Sequence, residues 1–305
     1  MATLSLSFLA QLASFKLRVK TLAEGVLSGL HPSARQGQSV EFAEHKEYAP
    51  GDELRHLDWK VLGKMDRYFI KRFQHEAHLP FVLLVDTSGS MGYPEAEGEA
   101  PQGEEGTCNK LEAAKLLAGA FAWVASKQQD AVGLLAASST HPRLLRPKAH
   151  ANHLGLVLSQ LETLKADGEN HLVAALESLS AQLRRRLALV VFSDLLDSSP
   201  LFLQNLLKLR KQKHDVALFH VLHADEVLFP FEENALFLSM EDNSRLEAHP
   251  LRLRHSYLKL MRAFLQETQA QCRAADVDYA LVQSQGPLEE ALVSFFMQRK
   301  RGRRP

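Results

Sequence analysis

Cysteine is nearly missing from this chain of 305 residues: the two present, Cys108 and Cys272, lie far apart. Two distant thiols provide neither a disulfide framework nor a zinc cluster, and they suit a reducing compartment. No apolar run reaches the roughly 18 residues that a membrane-spanning helix needs. The first residues lack the charged start, apolar block and small-residue cleavage site of a secretory signal, so a cytoplasmic location is expected. Net charge is absent too, with 36 Lys and Arg against 36 Asp and Glu. Nothing in that balance asks for nucleic acid or an acidic membrane as partner.

Several chemical motifs are also missing. No Gly-x-Gly-x-x-Gly follows a strand, no Gly-x-x-x-x-Gly-Lys-Ser/Thr occurs, and there is no Gly-x-Ser-x-Gly. Dinucleotide, P-loop nucleotide and nucleophile-elbow chemistry are therefore unsupported. His75 and His78 flank Glu76, but this is not His-Glu-x-x-His and no third ligand stands nearby, so they read as surface or junction histidines.

What remains is an ordinary soluble composition, 46% apolar and 24% charged. The length fits one or two domains with a large core. Phe8, Leu12, Phe15, Val19, Leu22 and Val26 form one stripe of an amphipathic helix that Gly29 and Pro32 end. Residues 31 to 60 are broken by Gly and Pro and rich in His, Glu and Arg. Their densest piece holds Tyr48, Gly51, Asp52, Arg55, Asp58 and Trp59, read as a capped turn with local ion pairs packed around the tryptophan. Tyr68 to Phe73 reads as a strand. Residues 93 to 106 are acidic and Gly/Pro-rich, and are expected to form a mobile loop at the rim of the site described next.

Beyond residue 80, apolar runs alternate with amphipathic helices. Strands are expected at 81–85, 131–137, 143–146, 187–194, 215–223, 235–240, 245–248 and 277–283, with 235–248 forming a small hairpin. Helices are expected from Asn109, near 150–164 and 171–185, from Pro200, around Leu253 to Leu265, and from Pro287. The pattern predicts βαβ units: an α/β fold with a doubly wound, mainly parallel sheet and a small N-terminal helix and strand extension. The expected division is 1–79 and 80–305. The basic tail from Arg299 to Arg304 is too short to argue for nucleic acid.

The run Phe81 to Val85 ends abruptly in Asp86-Thr-Ser88-Gly-Ser90. One carboxylate and two hydroxyls on a turn suit a hard cation, Mg²⁺ or Mn²⁺ with Ca²⁺ as an alternative, better than zinc. The competing reading is an Asx or Ser turn that closes a strand. Asp194 ends a later strand in the same way, and the loop Gly168 to Asn170 can reach the same rim. Ligands in such sheets bind beyond the carboxyl ends of the strands. An aspartyl-phosphate mechanism at Asp86 would want a second acid where Ser88 stands.

Asp86-x-Ser88-x-Ser90 with Asp194 resembles the metal-ion-dependent adhesion site of von Willebrand factor A domains, which have a Rossmann-type fold. Glu41-Phe42, then Tyr48-x-Pro-Gly51-Asp52-x-x-Arg55-x-Leu-Asp58-Trp59, resembles the bacterial family called domain of unknown function 58. The resemblance implies Ser88 and Ser90 as direct metal ligands, Asp86 and Asp194 acting directly or through water, and Asn170 where a threonine is usual. Glu41 and the residues from Tyr48 to Trp59 that match its motif are read as structural. It also implies a non-enzymatic, metal-dependent protein-interaction adaptor. Its partner would present an Asp or Glu to the metal, and a MoxR-type AAA+ ATPase is suggested. A scaffold with a degenerate metal site and a metal-dependent hydrolase or phosphotransferase are the alternatives.

Overall fold

The computed structural model describes residues 15–30, 42–48, 59, 61, 63, 68–73, 79–94, 108–138, 142–183, 185–196, 199–233, 235–241 and 244–302. The expectations for Phe8, Leu12, Glu41, Gly51, Asp52, Arg55, Asp58, His75, His78 and residues 95–106 lie outside them. Two compact units emerge, residues 31–78 and residues 1–30 with 79–305.

In the smaller unit β1 (Phe42–Glu47) pairs antiparallel with β2 (Phe69–Phe73), Glu47 opposite Phe69. Tyr48 N–H donates to Tyr68 O at 2.9 Å, and the two rings lie 6.3 Å apart. The strand β1 has no expectation behind it, because Phe-Ala-Glu-His-Lys-Glu shows neither β-branched residues nor alternation. Trp59 is 69% exposed, and the turn read beside it lies outside the described residues.

The larger unit is built on a six-stranded sheet. Its strands are β3 (Phe81–Asp86), β4 (Val132–Ala137), β5 (Leu144–Lys148), β6 (Ala188–Ser193), β7 (Asp215–Leu222) and β10 (Asp278–Gln283). They lie in the order β10-β7-β6-β3-β4-β5, all parallel except β5. This is the doubly wound α/β sheet expected from the sequence. Its order reverses between β3 and β6, and the crevice for ligands opens at such a switch point.

Central strands buried on both faces read as continuous apolar runs, yet each still alternates between two cores. Leu83, Val85, Val190 and Phe192 point to one core, and Val82, Leu84, Leu189 and Val191 to the other. The first core is closed by α1 (Phe15–Gly29), α2 (Lys110–Lys127), α3 (Ala151–Thr163) and α8 (Leu288–Gly302). The second is closed by α4 (Leu172–Gln182), α5 (Pro200–Lys211) and α7 (Pro250–Ala274). Asn109 caps α2 as expected, accepting from Glu112 N–H at 2.8 Å.

The helix α2 buries more than the expected stripe of Leu111, Ala114, Leu117, Ala118, Phe121, Val124 and Ala125. Ala113, Ala120 and Ala122 are buried as well, because α1 covers its outer side. The approach is close: a Cβ at Gly119 would lie 2.7 Å from Val19 Cγ2. The sequence division put α1 with residues 31–79; this packing puts it with the larger unit.

After β7 the short helix α6 (Ala224–Leu228), not expected from the sequence, leads to the hairpin β8 (Ala235–Leu238) and β9 (Arg245–Ala248). The turn of that hairpin runs over the end of β3. A Cβ at Gly89 would lie 1.9 Å from Met240 O, so only glycine fits there.

Candidate functional site

Because β3 and β6 are neighbours in parallel register, their carboxyl ends bring Asp86 and Ser193-Asp194 together. Asp86, Thr87, Ser88, Ser193 and Asp194 are all essentially unexposed. Asp86 Oδ1 accepts from Ser88 N–H at 3.0 Å and from Ser88 Oγ at 2.9 Å. Asp86 Oδ2 accepts from Ser193 Oγ at 2.6 Å. The turn continues so that Ser88 Oγ and Ser90 Oγ stand 3.2 Å apart, with Ser90 on the less buried side. The three residues of Asp-x-Ser-x-Ser do converge.

The loop between α3 and α4 reaches the same place, as expected. Asp167 N–H donates to Thr87 O at 3.0 Å, and Gly89 N–H to Gly168 O at 2.9 Å. Gly168 has a φ of +70°, a left-handed conformation that suits glycine. Asn170 Oδ1 accepts from Leu172 N–H, at the first residue of α4, at 3.0 Å, while its Nδ2 is buried without a hydrogen-bond partner. Thr87 Oγ1 is a second buried polar atom without a partner.

Asp194 is bound to a residue that the sequence reading did not single out. Lys110, unexposed at the first position of α2, donates from Nζ to Asp194 Oδ2 at 2.7 Å and also to Glu226 Oε1. The remaining oxygens are engaged as well: Asp194 Oδ1 accepts from Leu196 N–H at 3.2 Å and Glu226 Oε2 from His223 N–H at 2.8 Å. Behind them His220 donates from Nε2 to Asp194 O at 2.7 Å, and Tyr279 OH donates to its Nδ1 at 2.9 Å.

Burial, with the charge of Asp194 adding to it, pushes the Asp86 carboxyl up to about 6, against hydrogen bonds from Ser193 and Ser88 that pull it down. Burial alone would lower Lys110, but the charges of Asp194 and Glu226 outweigh it and hold the ammonium above its usual range. Burial holds His220 down to about 4, neutral at pH 7.

The donor set fits a hard cation in part. Two hydroxyls 3.2 Å apart beside a carboxylate whose ionisation is disfavoured by burial are what a small cation would stabilise. Among the described residues no group of three or more His, Cys, Asp or Glu is placed to hold a metal. A cleft of about 740 Å³ lined by Pro80, Val82, Leu144, Arg146 and Leu187 lies at the opposite, amino end of β3 and takes no part in this site.

The family described as "Protein of unknown function DUF58" matches residues 44–267. The chain belongs to the DUF58 family. Proteins similar to this DUF58 chain include the uncharacterized proteins Rv1480 of Mycobacterium tuberculosis and Mb1516 of Mycobacterium bovis. Each is 26% identical over 224 residues, 72% of this chain and 67% of the relative. Among solved structures, BatB from Bacteroides thetaiotaomicron aligns with a TM-score of 0.44 at 11% identity, covering 73% of this chain and 99% of BatB. The SpRpn10 VWA domain aligns with a TM-score of 0.37 at 12% identity, covering 72% and 95%. The fold of this DUF58 chain rests on its own strand order. No helix among its described residues is long and apolar enough to cross a membrane.

Proposed function

We propose that this DUF58 chain is a non-enzymatic adaptor that joins a partner protein through a divalent cation, Mg²⁺ or Mn²⁺, at Asp86, Ser88 and Ser90. The observation that carries this reading is the Ser88–Ser90 hydroxyl pair, 3.2 Å apart beside Asp86 at the switch point of the sheet. When bound, such a cation supplies a positive joint with coordination positions left open, because Mg²⁺ wants about six oxygens. Asp86, fixed by Ser88 and Ser193, orients the two hydroxyls. A carboxylate from a partner is the complementary group.

The absence of catalysis is supported by the engagement of the acids. Each oxygen of Asp86 and Asp194 already accepts a hydrogen bond from within the chain. The partner class comes from the family resemblance, which suggests a MoxR-type AAA+ ATPase. The test is retention of such a purified ATPase on the immobilised full chain. Retention in Mg²⁺ that is lost in EDTA and in Asp86→Ala and Ser88→Ala is expected. Retention indifferent to all three sinks the reading.

One observation favours a second reading, a scaffold whose metal site has decayed: Asn170 spends its Oδ1 on Leu172 N–H. Mg²⁺ binding restored only by Asn170→Thr would support it.

A further inference from the structure

One ammonium, Lys110, is held between two carboxylates, Asp194 and Glu226, and the charge of Asp194 bears on a third, Asp86. We propose that Lys110 is a tethered counter-cation that withholds Asp194 from the divalent ion, leaving Asp86, Ser88 and Ser90 as the cradle that a partner's carboxylate must complete. This deepens the adaptor reading and rests on it.

The geometry argues for it in three steps. First, Lys110 sits at the helix start, next to the Asn109 cap, and its unexposed side chain ends on Asp194 and Glu226. Second, the triad is closed: Asp194 accepts from Lys110 and Leu196, and Glu226 from Lys110 and His223. A second cation reaching Asp194 would have to displace an ammonium already in contact, leaving that charge buried and unpaired, which is costly. Third, the charges count. One ammonium against the two carboxylates it touches leaves the triad one negative charge, and Asp86 stands apart from it beside the hydroxyl pair. The lysine therefore leaves room for a metal while denying it its second acid. Weak binding by the free chain and tight binding with a partner's acid follow from the same residue.

The test is calorimetric titration of Mg²⁺ into wild type, Asp194→Asn, the double variant Lys110→Met/Glu226→Gln, and that double with Asp194→Asn added. The double loses one charge of each sign, so the net charge of the site is unchanged and only Asp194 is freed. Wild type and Asp194→Asn are expected to bind with little difference. The double is expected to bind at least about tenfold tighter, the scale on which groups behind metal ligands act. Adding Asp194→Asn should remove that gain. Binding lost in Asp194→Asn as completely as in Asp86→Ala overturns the proposal, as does a double no tighter than wild type. Melting temperatures report folding, and if the double does not fold the Asp194→Asn comparison decides alone. Tight binding by the double with none by wild type upholds the lysine's role and defeats the metal-dependent adaptor. Wild-type binding lost in Asp86→Ala, with no gain in the double, does the reverse.

Discussion

Ser193 Oγ donates to Asp86 Oδ2 at 2.6 Å, so the last residue of β6 holds the last residue of β3. The switch point is thus fixed by a side chain as well as by the ladder. Ser193→Ala removes a donor from a fully buried carboxylate. A loss of about 1–3 kcal/mol is expected in urea unfolding at pH 7. The Asp86 carboxyl should also move further up, since the Ser193 hydrogen bond is one of the groups pulling it down.

His220 gives a pH dependence with a definite sign. Its folded pKa is depressed to about 4 from 6.5, so the native state holds it neutral while the unfolded chain takes up a proton. Its stabilising contribution is full above pH 6.5 and is lost as pH falls toward 4. By the usual linkage it amounts to about 3 kcal/mol. Asp86 works the other way in an overlapping window, since its raised pKa costs stability as pH rises through about 6. The measurement is therefore a difference: stability of wild type minus that of His220→Gln, from pH 7 to pH 4. The difference is expected to shrink as pH falls.

Gly89→Ala tests the hairpin over the site. An added Cβ would meet Met240 O at 1.9 Å, and a backbone carbonyl cannot yield without moving the β8–β9 turn. Faster amide exchange over residues 235–248 and a lower melting temperature are expected. Unchanged exchange there would mean that the turn does not bear on Gly89 in solution.

Phe121 joins the central sheet to the last helix, with its ring edge-on to Phe81 at 5.2 Å and stacked on Phe296 at 5.2 Å. Phe121→Ala is expected to cost about 3–5 kcal/mol, the range for aromatic deletions in a core. Denaturant unfolding measures it.

The strands were legible because a sheet buried on both faces demands continuous apolar runs, and each run here ends in a polar turn. The Asp86–Ser90 cradle was legible because its oxygens lie within five residues of chain. Lys110 was not. A lysine at the head of an amphipathic helix reads as solvated, and its two acids stand 84 and 116 positions away. Only the strand order brings them to it. Glu226 was hidden likewise, in a single helical turn too short for periodicity to mark. The strand β1 escaped because its charged sequence carries no alternation.

The central claim is tested most directly by crystals of the full chain grown with Mn²⁺ and examined for anomalous scattering. One peak in contact with Ser88 Oγ and Ser90 Oγ, with Lys110 still on Asp194, is the expected result. A peak seated on Asp194 with Lys110 displaced, or no peak at the Ser88–Ser90 pair at saturating Mn²⁺, would contradict the account.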